Sequence, residues 1–144
     1  MKGSIVLREQ RIMLADVPEA IFRQLSAFDE QCILARGENE IIAEFAGQIG
    51  RYRWTTRERV RFDPDRHRIT FEQLRPPFFT VRTAVETFDL MPNAEGGTTL
   101  IVRGTLTPHL GPFGWLMTRW VVRPCWERIE MKHLDRLSER YGPS

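Results

Sequence analysis

"RYRWTTRERVRF", residues 51–62, alternates with a period of two. Arg51, Arg53, Arg57, Arg59 and Arg61 take the odd positions; Tyr52, Trp54, Thr56, Glu58, Val60 and Phe62 take the even ones. Successive side chains of a strand point to opposite faces, so the segment reads as a β-strand with a wet arginine face and a covered face. Glu58 falls in the middle of the covered face. A buried carboxylate is costly unless it is paired, hydrated or protonated. Three readings follow. Glu58 is held by an arginine such as Arg75 or Arg103, it reaches water at the sheet end, or it lines a chamber that receives a ligand.

The neighbouring segments extend the sheet. "DPDRH" is a turn by composition, and "RITFEQL" returns antiparallel after it. Setting Phe62 against Ile69 puts Val60 opposite Phe71, Glu58 opposite Gln73, and Arg59 opposite Glu72 on the other face. A slip of one residue would turn every side chain over. "EIIAEFAGQI" precedes the stretch across a tight turn at Gly50. "RPPFF" breaks the sheet, because proline cannot donate to a ladder. "TVRTAVETFDLM" and "TTLIVRGTLT" form a last hairpin around "PNAEGG". Residues 4–15 read as a first strand. "DVPEAIFRQLSAF" reads as a helix capped by Asp16, with Pro18 in its first turn and Glu19 completing a capping box. Its apolar stripe is Ile21, Phe22, Leu25 and Phe28. A second short helix is expected over residues 29–35. Helix is also expected from Trp115 to Tyr141, kinked or divided at Pro124, with Met131, Leu134, Leu137 and Tyr141 as its stripe beyond the kink. The count is about six strands, each next to its neighbour in sequence, which favours an antiparallel sheet.

The chain has 144 residues, 42% hydrophobic and 28% charged, enough for one domain with one core over 1–144. A net charge of +2 gives no global field toward nucleic acid or anionic membranes. The arginine row is a solvated outer face rather than a nucleic-acid site, because single-strand binders interleave basic residues and rings on one face and here the rings lie on the other. Cys32 and Cys125 stand far apart with no C-x-x-C, which suits a reducing cytoplasm. No signal peptide and no uncharged run of membrane-spanning length is read. No metal-ligand spacing, no nucleophile motif and no glycine-rich phosphate loop is present, so no metal and no cofactor is expected.

The order is strand, two short helices, five strands and one long helix. With "ADVPEAIFRQLSAF", "RERVRFDPDRHRITFE", "GGTTLIVRGTLTP" and "GPFGWLMTRW…RIEMKHLDRL" in that order, the chain resembles the START-related, Bet v 1-like (SRPBCC) superfamily. Within it, the chain is similar to the bacterial polyketide cyclase/dehydrase and lipid-transport-like group. The resemblance implies an α+β helix-grip fold, a curved antiparallel sheet around a long C-terminal helix with a cavity between them. It implies an apolar ligand such as a lipid, sterol or polyketide, with only some members being enzymes. It carries over no catalytic residue.

The covered face of residues 51–62 mixes rings with hydrogen-bonding groups, as ligand pockets do. The first reading is therefore a binding module for a hydrophobic or amphipathic small molecule. Tyr52, Trp54, Phe71 and Trp120 would supply apolar contact, and Glu58, Gln73, Thr83 and His109 would orient polar ends. Trp115, Met117 and Trp120 would border the cavity from the lid helix. The second reading is a cyclase/dehydratase-like enzyme in the same cavity, with Glu58 and His109 as the acid-base pair. A third is an interaction protein acting through the arginine face or the tryptophan-rich segment. Residues 112–122 set tryptophan beside arginine, which suits a transient membrane contact. The packing reading of that segment is that its side chains roof the core. Both a monomer and a homodimer are compatible with the sequence.

Overall fold

The computed structural model describes residues 3–143. The strands are β1 (Ile5–Val6), β2 (Gln10–Leu14), β3 (Ile33–Gly37), β4 (Glu40–Ile49), β5 (Tyr52–Asp63), β6 (Arg68–Arg75), β7 (Val81–Pro92) and β8 (Thr98–Pro108). The helices are α1 (Pro18–Leu25), α2 (Gly111–Met117) and α3 (Arg123–Tyr141). All strands join one antiparallel sheet in the order β1-β8-β7-β6-β5-β4-β3, with β2 also paired to β8. The sheet curves around the C-terminal helical rod.

The register of β5 is the one the hydrophobic pattern calls for. Phe62 faces Ile69, Val60 faces Phe71, Glu58 faces Gln73 and Arg59 faces Glu72. Thr56, Glu58 and Val60 are buried, and Trp54 is half-buried. Three of the five arginines on the outer face are paired with glutamates of the neighbouring strands. Arg59 pairs with Glu72 at 2.9 Å, Arg57 with Glu44 at 3.5 Å and Arg61 with Glu40 at 3.7 Å.

Three expectations change. The first strand is broken into β1 and β2, because Leu7 turns inward and packs beside Gly104 while its N–H still bonds the Gly104 carbonyl at 2.9 Å. Residues 29–35 are not a second α-helix. Only a 3-10 turn forms at Glu30–Cys32, its Gln31 N–H held by Asp29, and the chain then pairs with β4 as a strand. Together these raise the strand count from about six to eight. At α1 the cap is Val17 rather than Asp16, whose carboxylate instead accepts the Val17 N–H.

The helical region begins at Gly111, earlier than expected, and passes through a π turn at Thr118–Val122 before α3. Pro124, which lacks an N–H, stands in the first turn of α3, so the helical region is divided there as expected. The start is tight: a Cβ on Gly114 would lie 1.5 Å from the His109 carbonyl oxygen, so only glycine fits. The buried Thr118 hydroxyl bonds Thr80, 3.0 Å from its hydroxyl, and ties the helix to the segment before β7.

The interior holds two apolar clusters. One contains Leu14, Ile21, Val60, Ile69, Phe88, Leu100 and Leu134, with Phe22, Leu25 and Phe28 packed against it. The other contains Ile5, Leu7, Val81, Ala84, Leu106, Val122 and Trp126. The buried stripe of α3 is Trp126, Glu130 and Leu134, spaced by four. Met131, expected in that stripe, is 48% exposed because it stands one step, about 100°, around the helix from Glu130. Among the described residues no helix is long and apolar enough to cross a membrane.

Candidate functional site

Between the two apolar clusters runs a belt of polar side chains. On β7, Glu86 separates Ala84 of one cluster from Phe88 of the other. On α3, Glu130 separates Trp126 from Leu134. Glu58 and Gln73 continue the belt across β5 and β6. Gly104 leaves room for it: a Cβ there would meet the Glu86 side chain at 3.1 Å.

Among the described residues, none of the three carboxyl groups of the belt makes an ion pair. The Trp126 indole N–H donates to Glu86 at 3.1 Å. The Gln10 amide donates to one oxygen of Glu130 at 3.1 Å, and the other oxygen is buried without a partner. The Thr56 hydroxyl reaches Glu58 at 3.4 Å. Burial, aided by the Glu86 charge, pushes the Glu58 pKa up to about 7 against the contacts from Thr56 and Gln73. Burial and the neighbouring Glu86 carboxyl push Glu130 up as well, so that it stands as a neutral acid at neutral pH. Glu58 is locked to neither Arg75 nor Arg103. Arg103 is engaged by Glu9 and Asp89.

Beside the belt, an open cleft of about 1170 Å³ separates the β4–β5 hairpin from α3. β3 pairs with β4 only as far as Ala43, so the rest of β4 is the sheet edge that borders the cleft. Gly47 and Trp54 form the sheet wall, and Cys125, Ile129 and His133 belong to the helix wall. The Trp54 ring lies flat on Gly47, where an added Cβ would come within 2.4 Å of it. A ladder of rings joins cleft to belt: Trp54 to Phe78 at 6.5 Å, Phe78 to Trp126 at 5.9 Å, and from Trp126 the N–H to Glu86. His133 feels both regions. Loss of water around the ring lowers its pKa, the Glu86 charge opposes that, and Arg136 adds to it.

Of the residues expected at the site, Trp54 lines the cleft, and Glu58 and Gln73 lie in the belt, where the Gln73 carbonyl oxygen is buried without a partner. Phe71 packs in the apolar end, 5.0 Å from Phe88. Tyr52 is exposed at the hairpin end, its ring 5.5 Å from Trp54 and its hydroxyl on the Pro77 carbonyl. Thr83 stands on the outer face, because Ala84 beside it points in. Trp115 packs against the second apolar cluster, and Met117 is half-buried in α2. Trp120 is 65% exposed, with the Arg119 guanidinium 4.7 Å over its ring. Leu110, Phe113, Leu116 and Val121 are exposed near it, so this segment roofs the core only in part.

Glu58 and His109 are not brought together. Glu58, Gln73, Ala84 and Leu106 form a row across four strands, and His109 lies three residues past the last of them. Strand spacing alone puts about 14 Å between the ends of that row. The His109 ring nitrogen contacts the Phe79 carbonyl oxygen instead.

Known structures share this architecture. TTHA0849 from Thermus thermophilus superimposes with a TM-score of 0.73 at 18% identity, over 94% of this chain and 96% of that one. A START superfamily protein from Mycobacterium smegmatis does so with 0.63 at 16%, over 95% and 93%. The chain has the helix-grip fold of START-related, Bet v 1-like proteins. This helix-grip chain also matches the di-domain ARO/CYC StfQ from the steffimycin biosynthetic pathway, with a TM-score of 0.74 at 20% identity. That match covers 96% of this chain and 51% of StfQ. No protein-family model matches the chain, and no curated protein sequence does.

Glu86 and Glu130 escaped the sequence reading. The period-two test that singled out Glu58 also places Glu86 between inward Ala84 and Phe88. Leu134, Leu137 and Tyr141 pack on the core as the helix stripe requires, but one turn before Leu134 the inward position is Glu130 and not the apolar Met131 beside it.

Proposed function

We propose that this chain binds a hydrophobic or amphipathic small molecule in the cleft between its sheet and its C-terminal helix. The observation that carries the reading is the cleft of about 1170 Å³ beside the terminal helix, with Trp54 and Ile129 on its walls. Ligand sites commonly occupy about 300–1,000 Å³ with a mostly apolar lining, so a mid-sized molecule fits with room to spare. Burying roughly 300 Å² of apolar ligand surface at ~25 cal/mol per Å² supplies about 7 kcal/mol, before the costs of ordering are subtracted. The likeness to START superfamily and Bet v 1-like folds supports the same reading. The test is native mass spectrometry of the purified protein with solvent extraction, followed by titration with fluorescent fatty acids. A retained or acquired apolar ligand is the expected result. A protein free of ligand that also ignores every hydrophobic dye rules the reading out.

A second reading rests on the belt. Glu58 titrates near neutral pH, and Glu130 is held as a neutral acid close to Glu86. One carboxylate to remove a proton next to a carbonyl and one carboxylic acid to protonate the oxygen are the needs of an aldol-type cyclisation or a dehydration. The fold likeness to StfQ agrees with it. Here Glu58 would work with Glu86 and Glu130, in place of His109. Turnover of a poly-β-keto model substrate that is lost in Glu58→Gln, with ligand binding retained, supports the enzyme; no turnover above buffer by the parent protein rejects it.

A further inference from the structure

The cleft carries a charge that the apolar-ligand reading leaves unused. Arg53, Arg128, Lys132 and Arg136 line it, and no aspartate or glutamate does. Of the sixteen arginines outside the cleft, ten are paired with a carboxylate among the described residues. Arg57, Arg59 and Arg61 have glutamates on neighbouring strands, and Arg68 and Arg103 share Asp89. Among the described residues, none of the four cleft bases makes an ion pair. Asp135 and Glu139, on the same helix, do not line the cleft.

Arg128, Lys132 and Arg136 stand four residues apart, so they rise along one face of α3 in steps of about 6 Å. Like charges at this spacing repel by a few tenths of a kcal/mol per pair. With no ion pair formed and Asp135 and Glu139 outside the cleft lining, this row of three is locally unfavourable on its cleft side, and an anion lying on it relieves that repulsion. Neighbouring members are close enough for one carboxylate or phosphate head to touch two of them. Trp54 and Ile129, in the same cleft, offer apolar surface to the rest of such a molecule.

We propose that the cleft selects an amphiphile with an anionic head, its apolar body on Trp54 and Ile129 and its head on the Arg128–Lys132–Arg136 row. The proposal rests on the cleft being the ligand site, and it adds the sign of the ligand's charge. The attraction acts across an open cleft, so it weakens with salt.

The experiment uses the intact chain with the neutral dye Nile red bound. Decanoate, decyl phosphate, decanol and decyltrimethylammonium displace it, each below its micelle concentration. The two acids should act at concentrations about tenfold below decanol, a difference of ~1.4 kcal/mol. The gap should narrow at about 0.5 M salt, where the screening length falls below 5 Å. In the double variant Lys132→Gln, Arg136→Gln, both positions exposed, the gap should close while decanol displaces as before and circular dichroism is unchanged. The order of decanoate and decyl phosphate identifies the preferred head, and either order upholds the proposal. If acid and alcohol displace alike, or the cation does best, the charge assignment fails and the cleft remains a ligand site. If inorganic phosphate displaces the dye as well as decyl phosphate, the tail is not read and the amphiphile is wrong. If Nile red never binds and no probe does, the cleft reading itself has failed.

Discussion

Replacing Glu58 with glutamine should leave stability nearly unchanged at acid pH and raise it above neutrality. The Glu58 pKa rises from 4.5 to about 7 in the folded chain, chiefly through burial. The folded state therefore holds this proton more tightly than the unfolded state does. The stabilisation is whole below pH 4.5, falls as pH rises, and is gone above about 7. The rise is worth about 3 kcal/mol at 1.36 kcal/mol per pH unit. Glu58 is 9% exposed, so solvent screening takes little from that figure. Glutamine has no proton to lose. At pH 8 Glu58→Gln should be more stable than the parent by about 2–3 kcal/mol, allowing up to about 1 kcal/mol for imperfect bonds to Thr56 and Gln73. At pH 4.5 the two proteins should agree to within about 1 kcal/mol. The shift in Glu130 has the same sign but is present in both proteins and drops out of the difference to first order. Urea denaturation of both at pH 4.5, 6 and 8 measures it. A difference that does not vary with pH would falsify the argument. So would a parent protein that gains on the variant as pH rises, since that is the signature of an ionised, paired carboxylate.

Further changes probe the site and its frame. Gly47→Ala places a Cβ within 2.4 Å of the Trp54 ring, so the ring must leave the cleft wall. It should cost about 1–3 kcal/mol and weaken dye binding; unchanged tryptophan emission together with unchanged affinity contradicts the stacking. Trp126→Phe keeps a ring on Phe78 but removes the 3.1 Å donor to Glu86, and should cost about 1–3 kcal/mol by urea melt. Leu134→Ala, at a fully packed position, should cost about 2–5 kcal/mol, while Met131→Ala stays within about 0.5. Equal losses at the two positions would mean that the helix stripe is misplaced.

Much of the fold was legible because strand periodicity is a local property. Arg51 to Phe62 alternate with Thr55 as the one gap in the arginine row, and one favourable pair, Arg59 with Glu72, agrees with the apolar register Val60–Phe71. Strand β3 was missed because its five residues carry no alternation of their own, and it is a strand only because the edge of β4 accepts it. The break at Leu7 depended on Gly104, nearly a hundred residues away in the chain. His109 was a reasonable candidate from its place in a loop, but the curvature of the sheet and the fit of Gly114 against its carbonyl turn it to Phe79.

Local pattern alone determines that residues 51–62 are a two-faced strand, that Glu58 lies on the covered face, and that a long helix follows an antiparallel sheet. It could not determine what Glu58 would meet. Glu86, on another strand, raises the cost of ionising both Glu58 and Glu130 of the final helix, and does so only once folding has buried them together. The cleft has the same origin: Gly47, Trp54 and Ile129 face one space only when folding sets α3 opposite the free edge of the β4–β5 hairpin. Periodicity acts over a few residues, whereas desolvation and enclosure belong to whatever the finished chain sets side by side.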